Sequence, residues 1–367
     1  MTADPFILPY RGVLPVVAPR LDAGPGAALI GRVTLGPRAR LGSRAVLRGD
    51  GHVVEIGADF FLGEAGTVHI AHEIHPALVG DRVSVGRGGV VHACTIGADC
   101  VLEEGAIVLD GAVVGEGAVL EAGAIALPRS ELAGGLLHAG IPARPVRPVT
   151  PGERAERAAR LRGAPPGAVP RPTGPARLEI EPSTFIAGNA VVSGVVRGGA
   201  RSAVLFSCVL DAGAFEIVVG ERSNIQDNST IRCVDGPFVM AADAVVGHNV
   251  TLENCTIGTG SLVGTGSHVA AGTVIAADVL LAAGARTQPG QVLTGGTLWG
   301  GNPARPLAPL DDRKRRMIPW IVTTYCQYTA DFLVSQRVSQ ASPAPPERAE
   351  AAGRGPGWRG AGSTVRP

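Results

Sequence analysis

Aliphatic residues recur at Val79, Val85, Val91, Ile96, Leu102, Val108, Val114 and Leu120, a spacing of six broken by a single step of five. An amphipathic helix requires a period of 3.6 and a half-buried strand a period of 2, so neither element accounts for the run. A hexapeptide repeat does. Each six residues make one short strand and a turn, and stacking the resulting coils buries the aliphatic positions in a continuous core.

The register returns at Val246, Leu252, Ile257, Val263, Val269, Ile275 and Leu281, each 161 residues after its counterpart in the first run, and the five-residue step returns with it. The chain is therefore two homologous halves, closed by the similar signatures Gly140-Ile141-Pro142-Ala143-Arg144 and Gly301-Asn302-Pro303-Ala304-Arg305. This reading predicts an all-β protein of two left-handed parallel β-helix (hexapeptide-repeat) domains plus a C-terminal α-helix. The first solenoid with a short terminal helix occupies 1–162, a Pro/Gly-rich linker 163–176, the second solenoid 177–309, the amphipathic helix 310–337 and a disordered tail 338–367. In the C-terminal helix Met317, Trp320, Ile321, Tyr325, Tyr328 and Phe332 form a stripe expected to pack along the side of the solenoid.

Composition agrees with such a core. Of 367 residues 52 are Gly and 29 Pro, whereas aromatics make up only 4%. Part of the Gly, Ala, Arg and Pro excess reflects base composition, since Lys314 is the single lysine among 33 basic residues. A net charge of +1 without a basic block in the repeats speaks against nucleic acid. No secretory leader or membrane-length apolar run is legible, so the expected location is cytoplasmic. The six cysteines (94, 100, 208, 233, 255 and 326) contain no Cys-x-x-Cys pair and read as buried, reduced thiols. His52, His138 and His268 lack partners at ligand spacing and are expected on surface turns.

Solenoids of this kind host unrelated reactions, so chemistry has to come from polar residues that interrupt the repeat. In the first half these are Arg48-Gly49-Asp50, Thr67-Val68-His69 and Gly86-Arg87-Gly88-Gly89-Val90-Val91-His92-Ala93-Cys94-Thr95-Ile96-Gly97. In the second they are Asn224-Ile225-Gln226-Asp227, Ile231-Arg232-Cys233 and Gly247-His248-Asn249-Val250-Thr251-Leu252-Glu253-Asn254-Cys255-Thr256-Ile257-Gly258. Over most of 28–148 and about 190–309 the chain resembles the γ-class carbonic anhydrase family, as a tandem duplication with two degenerate copies.

Neither copy carries the whole family pattern. The first keeps Arg48, Asp50, His69 and His92, but has Gly63 where the family has Gln and Arg87 where it has its middle His. The second has Asp211 and Gly213 for the Arg and Asp, and Arg232 and Glu253 for the first and third His, yet retains Gln226 and His248. What one half lacks the other supplies. The family's metal lies between neighbouring solenoids, so the resemblance implies one composite site with His69, His92 and His248 as metal ligands and Arg48, Asp50 and Gln226 as catalytic residues. Arg48 would hold bicarbonate or lock the interface with Asp50, and Gln226 would orient the nucleophile. The reverse contact, with Arg87, Arg232 and Glu253, would be structural only.

Three neutral imidazoles with an open fourth position suit Zn²⁺, with Fe²⁺ or Co²⁺ as alternatives. The implied activity is that of a zinc-dependent lyase hydrating CO₂ through zinc hydroxide, or a related reaction on another small carbonyl compound. His72, Glu73 and His75 are candidates for proton transfer to solvent. Phe61, standing where the family has Asn, is expected to make the pocket more apolar. The implied assembly is a homo-oligomer with contacts between first and second halves, made within or between chains. Two other readings stay open: a non-catalytic scaffold or assembly subunit, and a CoA-dependent acyltransferase with His248 as base.

Overall fold

Val85, Val91, Ile96, Leu102, Val108, Val114 and Leu120 are all fully buried in one core, and Val246, Leu252, Ile257, Val263, Val269, Ile275 and Leu281 in a second. The computed structural model describes residues 4–18, 21–168 and 170–341. It is a tandem of two parallel β-solenoids. Strands of two or three residues pair with the strand three repeats later, as in Val101–Leu102 with Val119–Leu120 and Leu262–Val263 with Leu280–Leu281. Each solenoid closes with an antiparallel hairpin, Leu136–Ala139 on Arg144–Pro148 and Thr297–Gly300 on Arg305–Pro309.

Two demands on the turn explain the glycine content. A Cβ on Gly115 would lie 2.5 Å from the backbone nitrogen of Gly134 in the next coil, so close stacking excludes a side chain there. Two residues on, Gly117 has φ of +69°, the left-handed conformation that glycine adopts without strain.

Helix α1 (Pro151–Gly163) starts at Thr150, whose hydroxyl accepts from the Glu153 amide, with Pro151 in the first turn. Its Leu161 packs on Phe61, Val101, Val119 and Leu137 of the first solenoid. Helix α2 (Asp312–Ala341) begins 161 residues after α1 and in the equivalent place, with Ile318 and Val322 on Val245 and Leu262 of the second solenoid. Beyond that point the two helices differ. α1 stops at Gly163, whereas α2 continues and buries Tyr325, Tyr328 and Phe332 among Leu8, Tyr10 and Val46 of the first half and Phe185 and Phe206 of the second. α2 thus seals the junction of the halves rather than lying on one solenoid's side. It also runs through Val338–Ala341, residues expected in the tail; the rest of that expected tail, 342–367, lies outside the described residues. Among the described residues no helix is long and apolar enough to cross a membrane.

The unlike halves meet inside one chain. Arg44 donates to the Ser207 carbonyl, the Asn228 amide to the Thr67 hydroxyl, and the Asn249 amide to the Ala65 carbonyl. Ile107 and Ile125 of the first half lie over Gly266 and Gly284 of the second, where any Cβ would meet their Cδ1 atoms at 2.4 Å.

The cysteines are free, and all but the half-buried Cys326 are buried. Burial pushes the Cys100 thiol up to about 11, so it stays protonated at neutral pH. His138 departs from the surface position expected of it. Only 1% exposed, it fills the end of the first solenoid with Nε2 on the Ala133 carbonyl.

Candidate metal centre at the junction of the halves

Parallel pairing sets Arg48, His69 and His92 side by side on successive coils of the first solenoid. The second solenoid presents its opposite face to this ladder, and that face carries Gln226 and His248. The imidazoles of His69, His92 and His248 form a near-equilateral triangle, with ring centres 4.9, 5.1 and 5.2 Å apart. One nitrogen from each ring lies within 4.8 Å of the other two.

Each ring has a carboxylate at its outer nitrogen. His69 Nε2 is 3.1 Å from Asp50, His92 Nδ1 is 2.6 Å from Asp110 and His248 Nδ1 is 3.2 Å from Asp227. A carboxylate only accepts, so His69 and His92 donate outward and their other nitrogens carry lone pairs. Those two nitrogens, His69 Nδ1 and His92 Nε2, face each other at 3.2 Å. Two lone pairs held that close repel unless a cation lies against them. His248 Nε2 is fully buried with no hydrogen-bond partner among the described residues, and its Nδ1 faces Asp227 off the hydrogen-bond direction. The donor set therefore fits a metal that accepts three neutral nitrogens, and carboxylate–histidine pairs are the usual outer support of such ligands.

Charge at the site is governed by a buried knot behind the rings. Arg48, fully buried, bonds Asp50 through Nη1, Asp227 through Nε at 2.9 Å and the Tyr325 hydroxyl through Nη2 at 3.1 Å. Burial alone would raise the Asp227 carboxyl, but Arg48 and His248 hold it down at about 2. For His248 burial dominates, adding to the nearby Arg48 and His92 and opposing Asp227, so its pKa falls to about 4. His69 is lowered as well, by burial first and then by Arg48 and the other two rings. His69 and His248 are thus held neutral, the state in which imidazole binds metal.

The triangle forms the floor of a cavity of about 410 Å³, also lined by Gln226, His72, His75 and the aromatic face of α2. His72 Nδ1 is 2.8 Å from the Tyr328 hydroxyl, and its Nε2 is 3.9 Å from the exposed Glu73 carboxylate. Arg48 and Asp50 do not reach this cavity. Of the two roles the resemblance gave Arg48, the geometry provides only the lock between halves.

The remaining motif positions lie elsewhere. Arg87 is exposed, with Nη2 on the Pro165 carbonyl, and Gly63 stacks on the Gly86–Arg87 backbone. Asp211, Arg232 and Glu253 occupy the ladder of the second solenoid equivalent to that of Arg48, His69 and His92. There Asp211 accepts from the Thr173 hydroxyl and from the amide of Gly213, whose φ is +52°. Among the described residues Arg232 and Glu253 form no ion pair, and the contact with Arg87 is not made within the chain. Phe61 does not line the cavity either. It sits under α1, between the guanidiniums of Arg40 and Arg162. Its second-half equivalent by strand register is Asn224, whose amide oxygen accepts from Gln226. The apolar walls come from α2 and from solenoid residues such as Ile70, Val245 and Leu262 instead.

Asp110, Asp227, Tyr325 and Tyr328 carry structural roles that the motif comparison did not assign. Asp227 had a visible signal, since it closes the Asn-Ile-Gln-Asp segment. Asp110 had none, because it occupies an ordinary repeat turn.

No family model matches the chain. Among curated proteins it is 32% identical over 153 residues to γ carbonic anhydrase 1, mitochondrial, of Arabidopsis thaliana, a match covering 40% of this chain and 56% of that protein. It is 36% identical over 142 residues to protein YrdA of Escherichia coli, covering 37% of this chain and 77% of YrdA. The carnitine operon protein CaiE of Escherichia coli O157:H7 is 33% identical over 101 residues, covering 27% of this chain and 50% of CaiE. The chain thus spans about half the length of the Arabidopsis and carnitine-operon relatives. Among solved structures, a hexapeptide transferase family protein from Anaplasma phagocytophilum aligns over 42% of this chain and 91% of its own, at 31% identity and a TM-score of 0.41.

Proposed function

The chain belongs to the γ-carbonic anhydrase-like hexapeptide-repeat family, and from that premise we propose that it is a zinc-dependent lyase hydrating CO₂, or a descendant acting on another small carbonyl compound, with one site built by its two unlike halves. The observation that carries this reading is the triangle of three imidazoles, His69 and His248 buried and His92 half-buried, each facing a carboxylate and turning a nitrogen inward.

His69, His92 and His248 would hold the metal. Zn²⁺ in such a set supplies a Lewis acid that brings the pKa of water to about 7. The chain's own groups do the rest. Asp50, Asp110 and Asp227 set which ring nitrogen faces inward, and Arg48 fixes two of those carboxylates across the junction. Gln226 presents its amide to the cavity, where it orients the nucleophile and substrate by hydrogen bonding. His72, Glu73 and His75 line the way out and carry the released proton to solvent.

Metal analysis of purified protein tests the reading. About one zinc per chain is expected, lost in His69→Ala and equally in His248→Ala. Zinc that survives His248→Ala would sink the composite site. Where zinc is present, a CO₂ hydration assay separates anhydrase from descendant. Absence of zinc and turnover together would favour a scaffold, and acetyl-CoA binding an acyltransferase.

A further inference from the structure

The cavity above the imidazole triangle is far larger than a three-atom substrate needs. Its volume, about 410 Å³, falls in the range of pockets that enclose whole organic ligands. Its shape follows from the helix that roofs it. Arg313, Met317, Trp320, Thr324 and Tyr328 all line it, spaced so that they share one face of α2 over four turns. At a helical rise of 1.5 Å per residue, Arg313 and Tyr325 are roughly 18 Å apart along that face. The cavity is therefore a channel parallel to α2. Tyr325, tied to Arg48, lines it close to the buried knot behind the three rings.

The channel changes character along its length. Its floor is polar, with Gln226 beside the imidazoles; above the floor its walls are apolar, with Val245, Leu262 and Ile321. Ile74, Met317 and Trp320 are 56%, 37% and 44% exposed at its mouth, which leaves an apolar rim open to solvent. The mouth is also cationic. Arg129 of the first solenoid and Arg313 of α2 line it from opposite sides, both exposed, and among the described residues neither forms an ion pair. The acidic group within the cavity, Asp110, is already bonded to His92.

We propose that the site takes an elongated carbonyl compound with an apolar body and an anionic tail: the carbonyl end at Gln226 and the imidazoles, the body along α2, the tail between Arg129 and Arg313. The assignment of the reacting end rests on the function proposed above; the body and tail sites rest on the channel alone.

Fluorescence titration of the full chain tests it, with Trp320→Phe identifying the Trp320 signal, and with acetate, octanoate and suberate as probes in metal-free and zinc-loaded protein. Octanoate should bind at least tenfold more tightly than acetate, a modest share of what burying its extra methylenes offers. Suberate should bind more tightly than octanoate, and the double change Arg129→Gln, Arg313→Gln should bring that ratio to near one. Equal affinity for acetate and octanoate, or a suberate preference that survives the double change, would overturn the proposal. The two readings fail separately. Chain-length dependence in protein that takes up no zinc leaves the channel standing without the lyase, and zinc-dependent CO₂ hydration without chain-length dependence does the reverse.

Discussion

His248 offers a direct measure of how deeply the second half's imidazole is inserted into the first. Its pKa is held at about 4 rather than the usual 6.5, chiefly by burial, with His92 and Arg48 adding to the effect and Asp227 opposing it. In metal-free protein this makes stability depend on pH in a definite direction. Below pH 6.5 the unfolded chain takes up a proton at His248 that the folded chain refuses, so stability is full above pH 6.5 and is lost as the pH falls toward about 4. At about 1.4 kcal/mol per pH unit, lowering the pH to about 5 costs roughly 2 kcal/mol from this ring alone. His69 shifts in the same direction and adds to the loss in wild-type protein. Urea denaturation in the presence of a chelator, at about pH 7.5 and about pH 5, measures the total, and His248→Gln removes the titrating group. The variant should lose about 2 kcal/mol less than wild type over that interval. Equal losses, or a His248 resonance titrating near its usual value by NMR, would mean that water reaches the ring and that the halves do not close over it as described.

Other perturbations have expected outcomes of their own. Arg48→Met strands Asp50 and Asp227 as buried, unpaired carboxylates and should cost about 3–5 kcal/mol by urea denaturation, part of which Asp227→Leu in the same chain restores. Tyr325→Phe removes the hydroxyl that accepts from Arg48 and should cost about 1.5 kcal/mol, with no loss if that bond contributes nothing. Phe332→Ala empties the aromatic cluster that fastens α2 to both halves, at about 3–5 kcal/mol, and should speed proteolysis of the helix. Asp110→Asn replaces the carboxylate that orients His92 and should weaken zinc affinity about 10–100-fold while leaving the far-UV spectrum unchanged.

How far the sequence carried these conclusions depended on whether a residue acts through the repeat or across it. The period of six placed the core aliphatics, because in a solenoid the buried position recurs along the chain itself and each coil needs only its neighbours. The complementary loss of motif residues singled out His69, His92 and His248, three positions that share no local pattern, and the structure sets them on one cavity floor. Side-chain contacts between one coil and another, or between a coil and a helix, were not legible. Asp110 sits in Leu109-Asp110-Gly111, a turn like any other in the repeat, and only the fold shows that its carboxylate meets His92. Phe61 was misread for the same reason. It occupies the aligned position, but on the face that α1 covers, while its second-half counterpart lies beside Gln226.

One signal in the chain did announce the roof of the site. The offset of 161 that maps the first solenoid onto the second also maps α1 onto the start of α2, and Pro165-Pro166 end the correspondence. Residues 325–341 therefore have no helical partner in the first half, although the solenoid and the helix start before them do. A stretch added to one copy only, in a chain where each copy has lost what the other kept, belongs where the copies differ in use. Tyr325 on Arg48 and Tyr328 on His72 place it over the junction of the halves, beside the imidazole triangle.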